Sequence, residues 1–267
     1  MTAPVPTATR PPARTETHRL DVPSAGAVEL TVQDRDGTRP FLLLHGGGGV
    51  RTMTGFADLL AERTRRRVLL PTHPGFGGTP RAPGLTGVAE LAEVYVRLLD
   101  TLDLTGVTLI GNSFGGWLAA EIAHRAGPRV GGAVIVNGIG IQVDGHPMTD
   151  VRGMSVSEIQ AYSFHDPSRA PRPPAGDTGP SPDVQALVGY AGPAMTDPTL
   201  LRRLGELALP VHVLWGESDR IVDPGYGKAY AAAIPGATFT LLPRTGHLPQ
   251  VEKPEELLDA VLGLRCI

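Results

Sequence analysis

From Val28 onward, short apolar runs of strand length alternate with stretches whose apolar residues recur every three to four positions. That order is the signature of parallel β-α-β units. Val28-Glu29-Leu30-Thr31-Val32 alternates apolar and polar positions, which predicts a strand with one exposed face. Phe41-Leu42-Leu43-Leu44 is continuously apolar, as a strand covered on both faces must be. A helix is predicted over Gly55 to Arg66, carrying Phe56, Leu59 and Leu60, and Val68-Leu69-Leu70 follows as the next buried strand. Val88, Leu91, Tyr95, Leu98, Leu99 and Leu102 mark an amphipathic helix, followed by the strand Val107-Thr108-Leu109-Ile110 and the alanine-rich helical stretch from Gly116 to Ala123. Later strands are predicted at Val134–Val136, Val211–Trp215 and Thr238–Leu242, and a closing helix over Pro254 to Leu264 has proline at an early position.

One segment breaks this rhythm. Between Ile139 and about Leu200 no strand pattern appears, and Pro167-Ser168-Arg169-Ala170-Pro171-Arg172-Pro173-Pro174 opposes long regular elements. So long a segment without its own strand reads as a lid over a site, with Met154, Ile159, Tyr162, Phe164, Leu187 and Tyr190 available for burial. The division expected is a disordered leader over 1–18, a core over 19–138 and 201–267, and a cap over 139–200.

Composition narrows the class. The chain of 267 residues suits one α/β domain with an insertion. Its formal charge of −3, from 24 Lys+Arg against 27 Asp+Glu, gives no reason to expect nucleic acid or an anionic membrane as partner. The single cysteine, Cys266, cannot form an internal disulfide, and the Pro-, Thr-, Ala- and Arg-rich stretch from Met1 to His18 lacks a signal-peptide core. No run approaches the roughly 20 apolar residues of a bilayer span, so the cytoplasm is the expected location.

The chemistry-bearing feature is Gly111-Asn112-Ser113-Phe114-Gly115, a Gly-x-Ser-x-Gly between a strand and a helix. A serine hydroxyl needs a base to take its proton and a third group to orient that base. His247, in Thr245-Gly246-His247-Leu248-Pro249, follows the last predicted strand. Asp219 follows the strand before it, in Trp215-Gly216-Glu217-Ser218-Asp219, where Glu217 and Asp223 compete for the same role. The order Ser113, Asp219, His247 is that of elbow hydrolases, with each residue after a different strand at one sheet edge. Ser113 as a plain helix N-cap is the structural alternative, and it leaves the flanking glycines unexplained. The histidines and carboxylates show no ligand-like cluster, so neither metal nor organic cofactor is expected.

These residues, with His45-Gly46-Gly47-Gly48-Gly49 and His73-Pro74-Gly75-Phe76-Gly77-Gly78-Thr79, resemble the α/β-hydrolase superfamily over roughly Val28 to Leu264. The resemblance implies an α/β-hydrolase fold with a mostly parallel sheet flanked by helices, a cap inserted after the sixth strand, and catalytic Ser113, Asp219 and His247. It also implies an oxyanion hole from the backbone N–H groups of Gly47 and Phe114. Gly46 in the glycine loop, and Tyr162 and Phe164 among the apolar side chains of the 139–200 segment, are expected to border a small-molecule substrate. Some family members place the acid after the sixth strand, which makes Asp144 a further candidate. His73 stands where the family often has an acidic residue, and His45 is expected to hold the glycine loop rather than act as a base.

Carboxylic ester hydrolysis is the leading expectation. Gly111-Asn112-Ser113-Phe114-Gly115-Gly116 with the glycine loop is also similar to hydrolases that cleave carbon–carbon bonds in ring-fission products. Those usually carry a tryptophan soon after the catalytic histidine and a proline in the glycine loop, whereas this chain has Leu248-Pro249-Gln250 and Gly49-Val50. A non-catalytic binding module on the same fold is the alternative of another class.

Overall fold

The structure, a computed structural model, describes residues 13–171 and 181–263. Eight strands form one sheet: β1 (Arg14–Val22), β2 (Gly26–Arg35), β3 (Thr38–Leu44), β4 (Arg66–Pro71), β5 (Val107–Asn112), β6 (Val130–Val136), β7 (Val211–Gly216) and β8 (Thr238–Leu242). Their spatial order is β1-β2-β4-β3-β5-β6-β7-β8. β2 runs antiparallel to both β1 and β4, and all other neighbours are parallel.

The helices are α1 (Arg51–Thr64), α2 (Val88–Thr101), α3 (Phe114–Ala126), α4 (Val156–Ser163), α5 (Pro182–Ala191), α6 (Leu200–Gly205), α7 (Pro224–Ala232), α8 (Pro249–Glu252) and α9 (Pro254–Leu262). Period-two alternation splits each apolar strand between two cores. Phe41, Leu43, Val68, Leu70, Ile110, Val134 and Leu214 pack with Phe56 and Leu60 of α1 and Leu257, Leu258 and Val261 of α9. Leu42, Leu44, Leu69, Leu109, Ile135, Val213 and Trp215 pack with Leu91 and Tyr95 of α2, Leu118 and Ile122 of α3, and Tyr226 and Tyr230 of α7. Every residue of β5 is buried, polar Thr108 and Asn112 included, as expected of a central strand covered on both faces.

Some boundaries differ from those read in the sequence. Residues 14–18, assigned to the leader, belong to β1, which pairs with β2 along its length. Most of that strand faces solvent, so Leu20 and Val22 alone carry a hydrophobic signal, and edge pairing supplies the rest. The helix expected to reach Arg66 stops at Thr64, because Arg65 takes a left-handed conformation (φ 58) and turns the chain into β4. Residues 1–12 of the leader, the prolines at 173 and 174, and the helix end at Leu264 lie outside the described residues.

The segment without strand pattern contains α4 and α5, with α6 beginning at its end. An isolated bridge pairs Gly140 with Thr196 and closes its two ends on each other. α4 is started by a capping box, Ser155 with Glu158. Among the described residues, no helix is long and apolar enough to cross a membrane.

Candidate active site

The parallel strands β3, β5, β6, β7 and β8 all deliver their carboxyl ends to one edge. Ser113 stands at the first turn after β5 with φ 57 and ψ −119, a strained backbone that a packed surround must enforce. The surround is visible atom by atom. A Cβ on Gly111 would strike the carbonyl of Gly115, and one on Gly115 would strike those of Leu44 and His45. The two glycines therefore let the helix start, the elbow and the end of β3 occupy one volume. Ser113 N–H donates to Val136 O (2.9 Å), which fastens the elbow to β6.

Asp219 and His247 meet as the chain order implied. His247 Nδ1 lies 2.7 Å from Asp219 Oδ2, and both side chains are buried. Oδ1 of the same carboxylate accepts the N–H groups of Ile221 (2.8 Å) and Val222 (3.1 Å), while Asn137 Nδ2 also donates to Oδ2. A carboxylate offers only acceptors, so Nδ1 carries a proton towards Asp219, and in a neutral ring Nε2 is then the acceptor. The other candidate acids stand elsewhere. Glu217 accepts from Arg244 N, Asp223 caps α7 through Tyr226 N, and Asp144 is exposed in the turn after β6.

Two asparagines that the sequence reading did not single out hold this arrangement. Asn137 ends β6 at φ 49, donates to Asp219 and to Gly246 O (3.3 Å), and accepts Gly216 N–H (3.2 Å). Asn112 donates to His247 O (2.9 Å) and accepts from Gln250 Nε2 (3.0 Å). Each sits where a buried strand stops, and a polar residue at the end of an apolar run was the available signal.

The glycine loop borders Ser113. A Cβ on Gly46 would lie 2.8 Å from Ser113 Cβ and 3.4 Å from its Oγ. Beneath it, His45 and His73 stack with ring centroids 3.8 Å apart, both fully buried. His73 N–H donates to His45 Nε2 (3.2 Å), so His45 carries its proton on Nδ1 and gives it to Gly46 O (2.9 Å). His73 Nε2 donates to His45 O (3.0 Å), so its Nδ1 accepts from Tyr95 OH. Burial pushes the His45 imidazole down to about 4 and that of His73 well below its ordinary value. Both rings are neutral structural supports for the loop.

The described residues 139–171 and 181–200 reach the site from two sides. At the histidine end, His247 N–H donates to Ser163 O (2.6 Å), and a Cβ on Gly246 would lie 2.8 Å from Phe164 Cα. Buried Glu252 accepts three N–H groups there, from His165 (3.2 Å), Asp166 (2.9 Å) and Gly246 (2.8 Å). At the other end, Leu187 Cδ2 would lie 2.9 Å from a Cβ on Gly47, and the Tyr190 ring stacks on Phe76 and approaches Phe114 at 6.1 Å. Phe164 is buried, whereas Tyr162 is 39% exposed, with the Arg220 guanidinium 5.9 Å from its ring.

An elbow serine, a carboxylate-held imidazole and a glycine loop at one edge of this sheet define a hydrolase of the α/β class. The chain belongs to the Alpha/beta hydrolase family, whose model matches residues 41–260. It is 36% identical over 123 residues to a 2-hydroxy-6-oxo-2,4-heptadienoate hydrolase of Pseudomonas putida, a match covering 45% of each chain. It is 28% identical over 260 residues to a 2-hydroxymuconate semialdehyde hydrolase of Pseudomonas putida, covering 89% of this chain and 90% of that one. Its fold resembles that of a thermophilic esterase from Thermogutta terrifontis (TM-score 0.71, 23% identity, 92% and 97% of the two chains). It also resembles a meta-cleavage product hydrolase from Pseudomonas fluorescens IP01 (TM-score 0.74, 17% identity, 92% and 96%).

Proposed function

We propose that this hydrolase cleaves a carboxylic ester of a small molecule through an acyl-enzyme on Ser113. The observation that carries the reading is the His247–Asp219 pair at 2.7 Å, its Nε2 on the loop that completes the sheet edge holding Ser113. His247 takes the Ser113 proton as Oγ attacks the carbonyl carbon, and the N–H groups of Phe114 and Gly47 receive the developing oxyanion. Asp219 stabilises the imidazolium and keeps its ring oriented. The imidazolium then protonates the leaving alcohol as the carbon–oxygen bond breaks. Water, deprotonated by the same ring, attacks the acyl carbon and releases the acid, returning the proton to Ser113.

Gly46 keeps the space beside Ser113 clear, and residues 139–171 and 181–200 form the cap, with buried Phe164 towards the histidine end and Leu187 towards the glycine loop, while Tyr162 lies at the surface. Carbon–carbon hydrolysis of a ring-fission dienoate is the second reading. It is favoured by the names of the two Pseudomonas putida relatives and opposed by Leu248-Pro249-Gln250 after His247. The two are separated by assaying purified protein on 4-nitrophenyl esters of graded chain length beside a ring-fission dienoate. Turnover of the dienoate alone would replace the ester reading. Turnover of neither, with Ser113 unlabelled by a fluorophosphonate, would leave a binding module.

A further inference from the structure

Asp183, Leu187 and Tyr190 stand at i, i+4 and i+7 of α5, so they share one face of that helix. That face lies along the glycine loop. Tyr190 OH donates to Pro74 O (3.0 Å) and its ring approaches Phe114, Leu187 covers Gly47, and an Asp183 carboxylate oxygen fills the place a Cβ on Gly49 would take. The other Asp183 oxygen accepts Gly77 N–H at 2.7 Å. Asp183 thus has a backbone amide as partner, and among the described residues no Lys or Arg makes an ion pair with it.

The carboxylate is close enough to matter to a substrate. Gly49 N–H donates to Gly46 O (3.1 Å), a turn whose ends lie within about 7 Å of each other. Gly46 in turn touches Ser113. The negative charge therefore stands within roughly 15 Å of the nucleophile, about one to two Debye lengths at ordinary ionic strength and less where solvent is excluded. It also acts on His45 directly, pulling that imidazole upward against the larger effect of burial.

We propose that Asp183 makes the site select against substrates that carry a negative charge near the glycine loop, so that the ester it takes is uncharged there. The proposal rests on Ser113 being the nucleophile, and it deepens the ester reading because a ring-fission dienoate is an anion. A like charge at this range slows the approach of an anionic substrate by roughly two- to fivefold at low salt, and the effect fades as salt is added.

The test uses two fluorophosphonates, one ending in an alkyl chain and one in the same chain with a terminal carboxylate, with the Ser113 adduct followed by mass. Asp183→Asn keeps an oxygen to accept Gly77 N–H while removing the charge. Wild type should react roughly two- to fivefold faster with the neutral probe in 20 mM salt. The ratio should fall towards one in Asp183→Asn, and likewise in wild type at 0.5 M salt, a measurement that needs no variant to fold. A ratio unchanged by both the substitution and salt would overturn the proposal, as would equal slowing of both probes, which would make Asp183 only a fastener of α5. Efficient wild-type turnover of a ring-fission dienoate would overturn it too. Normal probe discrimination with no turnover of any ester would instead remove the ester reading and leave charge selection standing, while absence of any Ser113 adduct would remove both.

Discussion

Replacing Glu252 by alanine removes the acceptor of three buried N–H groups, those of His165, Asp166 and Gly246. Hydrogen bonds to a charged acceptor contribute about 1.5–3 kcal/mol each, and a buried donor left alone costs about 1–3 kcal/mol. Three at full value would give at least ~5 kcal/mol, but they share one carboxylate and water can enter the space the side chain leaves, so they do not add. The expected loss is ~3–4 kcal/mol, a large fraction of the 5–15 kcal/mol typical of a domain. Activity should fall further than stability explains, because Gly246 precedes His247 and Ser163 O holds the His247 N–H. Urea unfolding measures the first effect as a lower midpoint at unchanged slope. The ester kcat of the folded fraction measures the second, with KM moving less. Glu252→Gln should recover part of both, since its one carbonyl oxygen can still accept from His165 and Gly246. A loss below about 1 kcal/mol for Glu252→Ala, with kcat intact, would refute the idea that this carboxylate fastens the 139–200 segment to the histidine loop.

Acid should weaken the fold through His45 and His73. Both have lowered folded values, so their stabilisation is complete above the ordinary histidine pKa of about 6.5 and is lost as pH falls towards the folded values. His45, down to about 4, accounts for ~3 kcal/mol between pH 6.5 and 4, with His73 adding in the same direction; urea midpoints that stay flat across that window would contradict neutral buried rings. Asp219→Asn should lower ester turnover by roughly 10²- to 10⁴-fold while exposed Asp144→Asn does little, and the reverse ranking would move the acid to the turn after β6. Gly115→Ala should cost ~3 kcal/mol or more, because its Cβ would meet the carbonyl of Leu44, and a soluble, normally stable variant would show that the elbow has slack. Leu187→Ala should raise kcat/KM for long acyl esters relative to acetate more than Tyr162→Ala does, given that Leu187 lies on Gly47 and Tyr162 at the surface; equal effects would place both at the same distance from the acyl group.

Much of this protein was legible in its order of residues. Short apolar runs at 41–44 and 68–70, and the run Val107-Thr108-Leu109-Ile110, rich in β-branched residues, have the length and composition of strands covered on both faces, and both cores take their alternating side chains. The elbow was legible because Gly111 and Gly115 fill no volume of their own, and the pairing of Asp219 with His247 followed from two loops after neighbouring strands. β1 was not, since an edge strand buries little and its pairing with β2 is a tertiary fact. α7 was also missed. Gly225 and Gly227 weaken its local signal, and the Trp215 ring that requires the space at Gly227 comes from another element.

The sequence alone determined which residue types reach the carboxyl edge of the sheet, because strand order along the chain dictates which loops lie there. Only the tertiary structure decided what holds them. Asn137 and Asn112 brace Asp219 and the His247 loop, His73 and Tyr95 support the glycine loop, and Glu252 joins residues separated by some eighty positions. Such contacts have no periodicity and no fixed spacing. They exist because a buried polar group must find a partner, and the partner is whichever residue the packing brings within hydrogen-bonding distance.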